Sequence, residues 1–225
     1  DLITDEGVSG PRQKELEEKD EETRTESKLL FEKACQDAGL PYTVHKDRNI
    51  AIRELLHESI YADLLIIDKT ETFTHYSEDP PTRFIRELLE QVQCPVIIVP
   101  PGYFAMNKII LLYDGEPSSV YAIKMIDYTI ESSKKYNAEV ISVNDFDDSF
   151  HLPDNRLMKE FMKRHFPGAV YKVIKGLPEI EIMNYLKNEP HGTMVVLGAY
   201  QRGMISRWFR QSMADVLLKQ IQLPL

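Results

Sequence analysis

The chain has 225 residues, with 27 Lys and Arg against 36 Asp and Glu, for a net charge of −9. That length holds one large or two small domains with a real core, and 43% hydrophobic and 28% charged residues are ordinary for a soluble globular protein. The acidic balance disfavours nucleic acid and anionic membrane surfaces as partners, and no apolar run approaches the roughly 20 residues needed to span a bilayer.

The first residues, DLITDEGVSG, carry neither a basic n-region nor an apolar h-region, so they are not read as a signal peptide. With no initiator Met and a last residue inside a strand-like run, both ends read as clipped. The two cysteines, Cys35 and Cys94, do not make a disulfide framework, and a reduced, cytoplasmic setting is expected. Cys94 has no His base at motif spacing and reads as a small buried residue.

Pro11–Ala38 reads as a long charged helix with Leu16, Leu29, Leu30, Phe31, Ala34 and Ala38 as its apolar contacts and Gly39 as its stop. Its acidic run Glu15–Glu22, interleaved with Lys14, Lys19 and Arg24, is a solvated face. Tyr42–His45 is expected as a strand, Ile50–Tyr61 as a helix, Leu64–Ile67 as a strand, Thr82–Gln93 as a helix and Pro95–Val99 as a strand. Pro100-Pro101-Gly102 and Tyr103–Asn107 form a linker. A second series follows: strand Lys108–Tyr113, helix Ser118–Tyr136, strand Ala138–Val143 and helix Leu157–His165. Strand Val170–Ile174, helix Glu179–Leu186, strand Met194–Leu197 and helix Ser206–Ile221 complete it, with Leu223-Pro224-Leu225 opening a fifth strand. Strands alternating with helices of this length indicate βαβ units and parallel sheets.

The series is a repeat. Cys94-Pro95 and Leu223-Pro224 sit at equivalent places, the preceding strands LLIID and VVLGA align, and counting back eleven residues from each dipeptide gives Arg83 and Ser212. The domains are therefore expected at 1–100 and 107–225. The first copy lacks an opening strand, helix and strand, equivalent to roughly 50 residues.

The informative stretch is Met194–Leu225, where an apolar strand ends in Gly198, followed by a polar loop and a helix. Strand, glycine turn and helix start suit phosphate, because free N–H groups and the positive end of the helix dipole converge there. The segment resembles the nucleotide loop of the universal stress protein family, G-x2-G-x9-G-[ST]. Gly198 matches the first glycine and Ser212 the terminal hydroxyl, with Gln201 and Gln211 in place of the other two glycines. The resemblance to tandem universal stress proteins covers most of the chain. It implies two Rossmann-like (adenine nucleotide alpha hydrolase-like) α/β domains. Each would have a five-stranded parallel sheet of order 3-2-1-4-5, flanked by helices.

The resemblance also implies ATP as ligand, with magnesium only alongside it. Asp114 matches the acidic residue at the adenosine part, Val143 lines the adenine pocket, and Gly198 and Ser212 are the ends of the phosphate loop. Arg202 adds a positive charge in that loop. Gln201 and Gln211 bring side chains where phosphate needs close backbone, so ATP binding is expected to be weak. The other reading stays open at each position. Asp114-Gly115 is also a plain turn, and Gly198 a tight strand exit. Ser212 is also a mid-helix serine, Arg202, Arg207 and Arg210 a solvated basic face, and Trp208 with Phe209 a core or interface anchor.

The first-copy loop, Lys69–Thr82, has no glycine, carries Glu71, Glu78 and Asp79, and loses two N–H donors at Pro80-Pro81. No nucleotide is expected there. CxxC, HExxH and calcium-loop motifs are missing from the sequence. His75 with Glu78 and Asp79 reads as a solvated loop rather than a metal site. The function that the resemblance implies is a regulatory or binding module of the stress-response type. The alternative is an ATP-hydrolysing or nucleotidyl-transferring enzyme. Expected partners are the chain's own second domain as a pseudo-dimer, a further copy in a homodimer, and a protein partner that the sequence does not identify.

Overall fold

The computed structural model describes residues 10–45, 51–73, 76–102, 105–144, 150–198 and 211–225. Two compact units are present, Asp1–Arg48 and Asn49–Leu225, so the linker near residue 100 lies within the second unit.

The first unit is built on α1, Gly10–Asp37. Gly39 ends it with φ +66°. The Leu40 N–H donates to the Cys35 carbonyl and the Gly39 N–H to that of Gln36, the paired bonds of a left-handed helix cap. Tyr42–His45 is not a strand. A strand needs a ladder partner; here Tyr42 instead takes a hydrogen bond from Gln36 Nε2 at 3.1 Å and sets its ring edge-on to Phe31.

In the second unit, α2 (Ala51–Glu58), β1 (Leu65–Asp68), α3 (Arg83–Gln91) and β2 (Val96–Val99) come first. They are followed by β3 (Lys108–Leu112), α4 (Pro117–Thr129), β4 (Asn137–Asn144), α5 (Asn155–His165), β5 (Val170–Lys175), α6 (Pro178–Leu186), β6 (Thr193–Val196) and α7 (Gln211–Gln220). The expected long fourth helix stops at Thr129, and Ser133–Lys135 forms a separate 3-10 turn. Thr129 and Ile130 are β-branched and Ser132-Ser133 is a poor helix pair, so the last third of that run does not propagate.

Among the described residues all strand ladders are parallel. β1 pairs with β2, and the larger sheet runs β5-β4-β3-β6. Counted in chain order from β3, this is 3-2-1-4. The two expected five-stranded sheets are corrected to sheets of two and four strands. Pro224 has no N–H to give a ladder, and Leu223–Leu225 adds only isolated backbone bonds, one of them from Val195 N–H to the Pro224 carbonyl.

Alternation along the buried strands sorts the core into two faces. Ile109, Leu111, Val140, Met194 and Val196 meet Ile123 and Ile126 of α4 and Met158, Phe161 and Met162 of α5. Ile110, Leu112, Ile141, Val143 and Val195 meet Ile182, Met183 and Leu186 of α6 and Leu217 and Ile221 of α7. A third cluster joins Ile52, Leu65, Phe84, Ile85, Leu88 and Ile98 to Leu218 of α7. This is a doubly wound α/β layer arrangement.

Candidate functional site

The chain winds from β3 outward through β4 to β5, then returns to the other side of β3 with β6. The strand order reverses between β3 and β6, and open parallel sheets hold ligands at the carboxyl ends of strands at such a switch point. Asp114 leaves β3 and Gly198 leaves β6, so two of the expected residues lie at the ends of adjacent strands.

Asp114 is 3% exposed. Its Oδ1 accepts the Glu116 N–H at 3.0 Å, closing a turn in which Gly115 has φ +87°. A Cβ on Gly115 would come within 2.7 Å of Pro153 Cβ, so the turn needs glycine for conformation and for space. Tyr113, one residue earlier, donates its hydroxyl to the Pro153 carbonyl at 3.1 Å. Burial, then the charges of Asp154 and Asp114, push its pKa up to about 12, so the phenol stays a donor.

Gly198 is buried. A Cβ there would stand 2.3 Å from the Ser118 carbonyl carbon and 2.5 Å from Ser119 N. The first turn of α4 rests directly on the strand exit, and glycine lets it do so. Packing alone therefore accounts for this glycine, alongside any ligand role.

Val143 is 3% exposed, inside the α6–α7 face of the core. Ser212 lies in the first turn of α7, with its side chain outside the described residues. Arg202, Gln201, Arg207, Trp208, Phe209 and Arg210 also lie outside the described residues. The structure thus brings Asp114 and Gly198 to neighbouring strand ends, and sets Val143 one strand further along.

The segment from the end of β1 to α3 holds the other loop expected at a strand exit, Lys69–Thr82. Thr82 caps α3, its hydroxyl accepting the Ile85 N–H at 3.2 Å. Glu78 folds onto the same helix start. Its Oε2 accepts the Arg83 N–H at 2.9 Å, and its Oε1 accepts from Arg83 Nε at 3.1 Å and Nη2 at 2.9 Å. These bonds hold the Glu78 carboxyl below the usual carboxylate range. A carboxylate at exposed N–H groups of a helix start does there what a phosphate oxygen would do. The sequence shows Glu78 as a repelling charge; that it turns inward onto Arg83 depends on loop shape, which has no sequence signature.

Lys69 is a second residue that sequence reasoning passed over. It is 4% exposed, and its ammonium donates to the Ile221 carbonyl at 2.8 Å, just past the end of α7. Burial lowers its pKa, and the negative end of the helix dipole favours a cation there. On the same helix, Arg86 of α3 meets Asp215 at 3.3 Å.

Cys94 is partly exposed, and burial raises its thiol pKa, against a nucleophile. Among the described residues no group of three His, Cys, Asp or Glu is arranged to hold a metal ion. Among the same residues no helix is long and apolar enough to cross a membrane.

Solved structures share this architecture. A universal stress protein from Archaeoglobus fulgidus superposes with a TM-score of 0.65 at 15% identity, covering 99% of this chain and 83% of its own. A functionally unknown protein from Pseudomonas aeruginosa gives 0.53 at 16% identity over 89% of this chain and 75% of its own. Universal stress protein UspA from Lactobacillus plantarum gives 0.41 at 17% identity over 53% of this chain and 95% of its own. No protein-family model matches the sequence, and no curated protein matches it. At these identities the likeness is one of fold.

Proposed function

We propose that the chain is a universal stress protein of the tandem type, with domains at 1–100 and 107–225, acting as a regulatory or binding module. The observation that carries this reading is the pairing of Asp114 and Gly198 at the switch point of a parallel β5-β4-β3-β6 sheet, in a fold shared with the Archaeoglobus protein. The second copy keeps at most a weak ATP site, formed by Asp114, Val143, Gly198, Arg202 and Ser212, with magnesium entering only with the nucleotide. The first copy binds none, because Glu78 already serves the α3 start. It acts instead as a built-in partner for the second, a pseudo-dimer within one chain, in a cytoplasmic setting.

Titration calorimetry with MgATP, run beside an ATP turnover assay, tests this. One weak site or none per chain, without turnover, agrees with the module. Two sites per chain would refute the division of labour between the copies. Turnover would favour the alternative, an ATP-hydrolysing or nucleotidyl-transferring enzyme.

A further inference from the structure

β5 has one ladder neighbour, β4, and among the described residues no strand pairs with its outer side. The chain itself goes elsewhere: it leaves β5 through α6 and crosses back over the sheet to β6. The Gly176 N–H donates to the Asn144 carbonyl at 3.2 Å, so by the period of two Ile174 and Lys172 also turn their backbone groups to β4. Tyr171 and Val173 turn theirs outward, each with one donor and one acceptor. The strand is held from both faces. Tyr171 and Val173 pack with the α4–α5 side of the core, and Ile174 with the α6–α7 side.

This edge carries the opposite charge to the rest of the chain. From Asn155 to Lys175, through α5 and β5, there are six cations, Arg156, Lys159, Lys163, Arg164, Lys172 and Lys175, and one acid, Glu160. All six cations are exposed, in a chain of net charge −9. Lys163 and Arg164 suit the negative end of the α5 dipole; the other four lie away from it. Lys172 stands over the Tyr185 ring and Lys175 over the Phe150 ring, each at 4.3 Å, which keeps both charges beside the strand.

The pattern selects among occupants. A second copy of the same edge would bring like charges together, which is how lysines protect edge strands. The phosphates of a nucleic acid or a lipid surface offer acceptors alone, leave the outward carbonyls unmatched and are repelled by the acidic remainder of the chain. A peptide backbone alternates donor and acceptor at the spacing of the edge, and acidic side chains on it match the sign of the local potential. We propose that the outer edge of β5 is a strand-addition site for an extended acidic peptide of a partner protein. The peptide lies antiparallel to β5, the more stable sense per residue, bonds the Tyr171 and Val173 backbone, and is steered by the α5 and β5 cations. The site is independent of the nucleotide reading.

The test uses the full chain and a fluorescent, acetylated and amidated peptide, Thr-Glu-Val-Glu-Thr-Glu, read by anisotropy. Saturable binding is expected, weakened as salt rises from about 0.1 M to about 1 M and the screening length falls from about 10 to about 3 Å. The same peptide N-methylated at alternate residues keeps its charge and loses its donors, and should bind about tenfold more weakly. Lys in place of each Glu should weaken binding at least as much. Val173→Pro removes an outward N–H while leaving the β4 ladder intact, and should weaken binding several-fold. Lys159→Glu with Lys163→Glu should do the same through charge alone. Absence of saturable binding to the parent chain overturns the proposal. So does equal binding of the N-methylated or the lysine form, or an oligothymidylate that binds as tightly as the acidic peptide. The peptide comparisons need no variant protein, so a misfolded mutant cannot obscure them.

Discussion

Two connections from strand to helix, one after β1 and one after β6, differ in how they fill the helix start. After β1 the chain runs through Lys69–Thr82 and begins α3 with its donors satisfied from within, by the Thr82 hydroxyl and the Glu78 carboxylate. After β6 it leaves through Gly198, pressed onto the Ser118 backbone, toward α7. The first connection places an anion of its own at the helix start. The other keeps a small residue at the strand exit and carries no acidic residue from Gly198 to Ser212. At one strand exit a side chain occupies the helix start; at the other, glycine makes room for packed backbone.

That contrast can be broken most sharply at Gly198. Gly198→Ala drives a Cβ to 2.3 Å from backbone that cannot swing aside, and we expect a loss of about 3 kcal/mol or more, in the upper range for overpacking. Urea denaturation measures it. Gly168→Ala, whose Cβ would meet nothing within 4 Å, is the control and should move the midpoint little. A Gly198→Ala protein as stable as its parent would remove the packing account of this glycine.

The next effect concerns ligand rather than stability. Replacing Gln201 and Gln211 together by Gly should tighten MgATP binding about tenfold, or about 1.4 kcal/mol, by letting backbone approach phosphate. Calorimetry that finds the double variant no tighter than the parent rules out obstruction by those side chains.

Glu78→Gln sharpens the side of the comparison that follows β1. The carboxyl has its pKa lowered from 4.5 in the folded chain by Arg83. Its contribution is therefore fully present above the ordinary carboxylate range and is lost as pH falls through the lowered value. The variant should lose less stability than the parent on acidification below pH 4.5, with only a small difference at neutral pH. Parallel acid-denaturation curves for the two proteins would show the Glu78–Arg83 contact to be idle.

The smallest effect is expected at Lys69. Burial lowers its pKa from 10.5, so the unfolded chain holds that proton more tightly. Folding then gains stability as pH rises through the lowered value toward 10.5. Lys69→Met should flatten that alkaline rise, measured by thermal melts across pH 8–11.

Much of this fold was legible because β3 and β6 are buried on both faces and carry continuous apolar runs, Ile109–Leu112 and Met194–Val196. The helices that cover them carry one apolar face each. The turn glycines Gly39 and Gly115 were legible too, since positive φ leaves few alternatives. Tyr42–His45 misled because alternation marks a half-buried ribbon only where a neighbouring strand exists. Of the candidate site, Asp114 and Gly198 could be placed from strand ends alone. Glu78 on Arg83 and Lys69 on Ile221 could not, because five residues of loop or 152 residues of chain separate the partners and no periodicity links them.

The antiparallel contact between Ile98 and Leu225 sits among ladders that are otherwise all parallel. It reverses direction, so the carboxyl ends of β1 and β2 point opposite to those of β3 and β6. The carboxyl end of β1 and that of β6 therefore lie on opposite rims. What they share is α7. Its first turn follows the Gly198 loop, and Lys69 from the far rim grips the carbonyl just beyond its last turn. α7 is thus a rod of ten residues, about 15 Å long, that spans from one rim to the other.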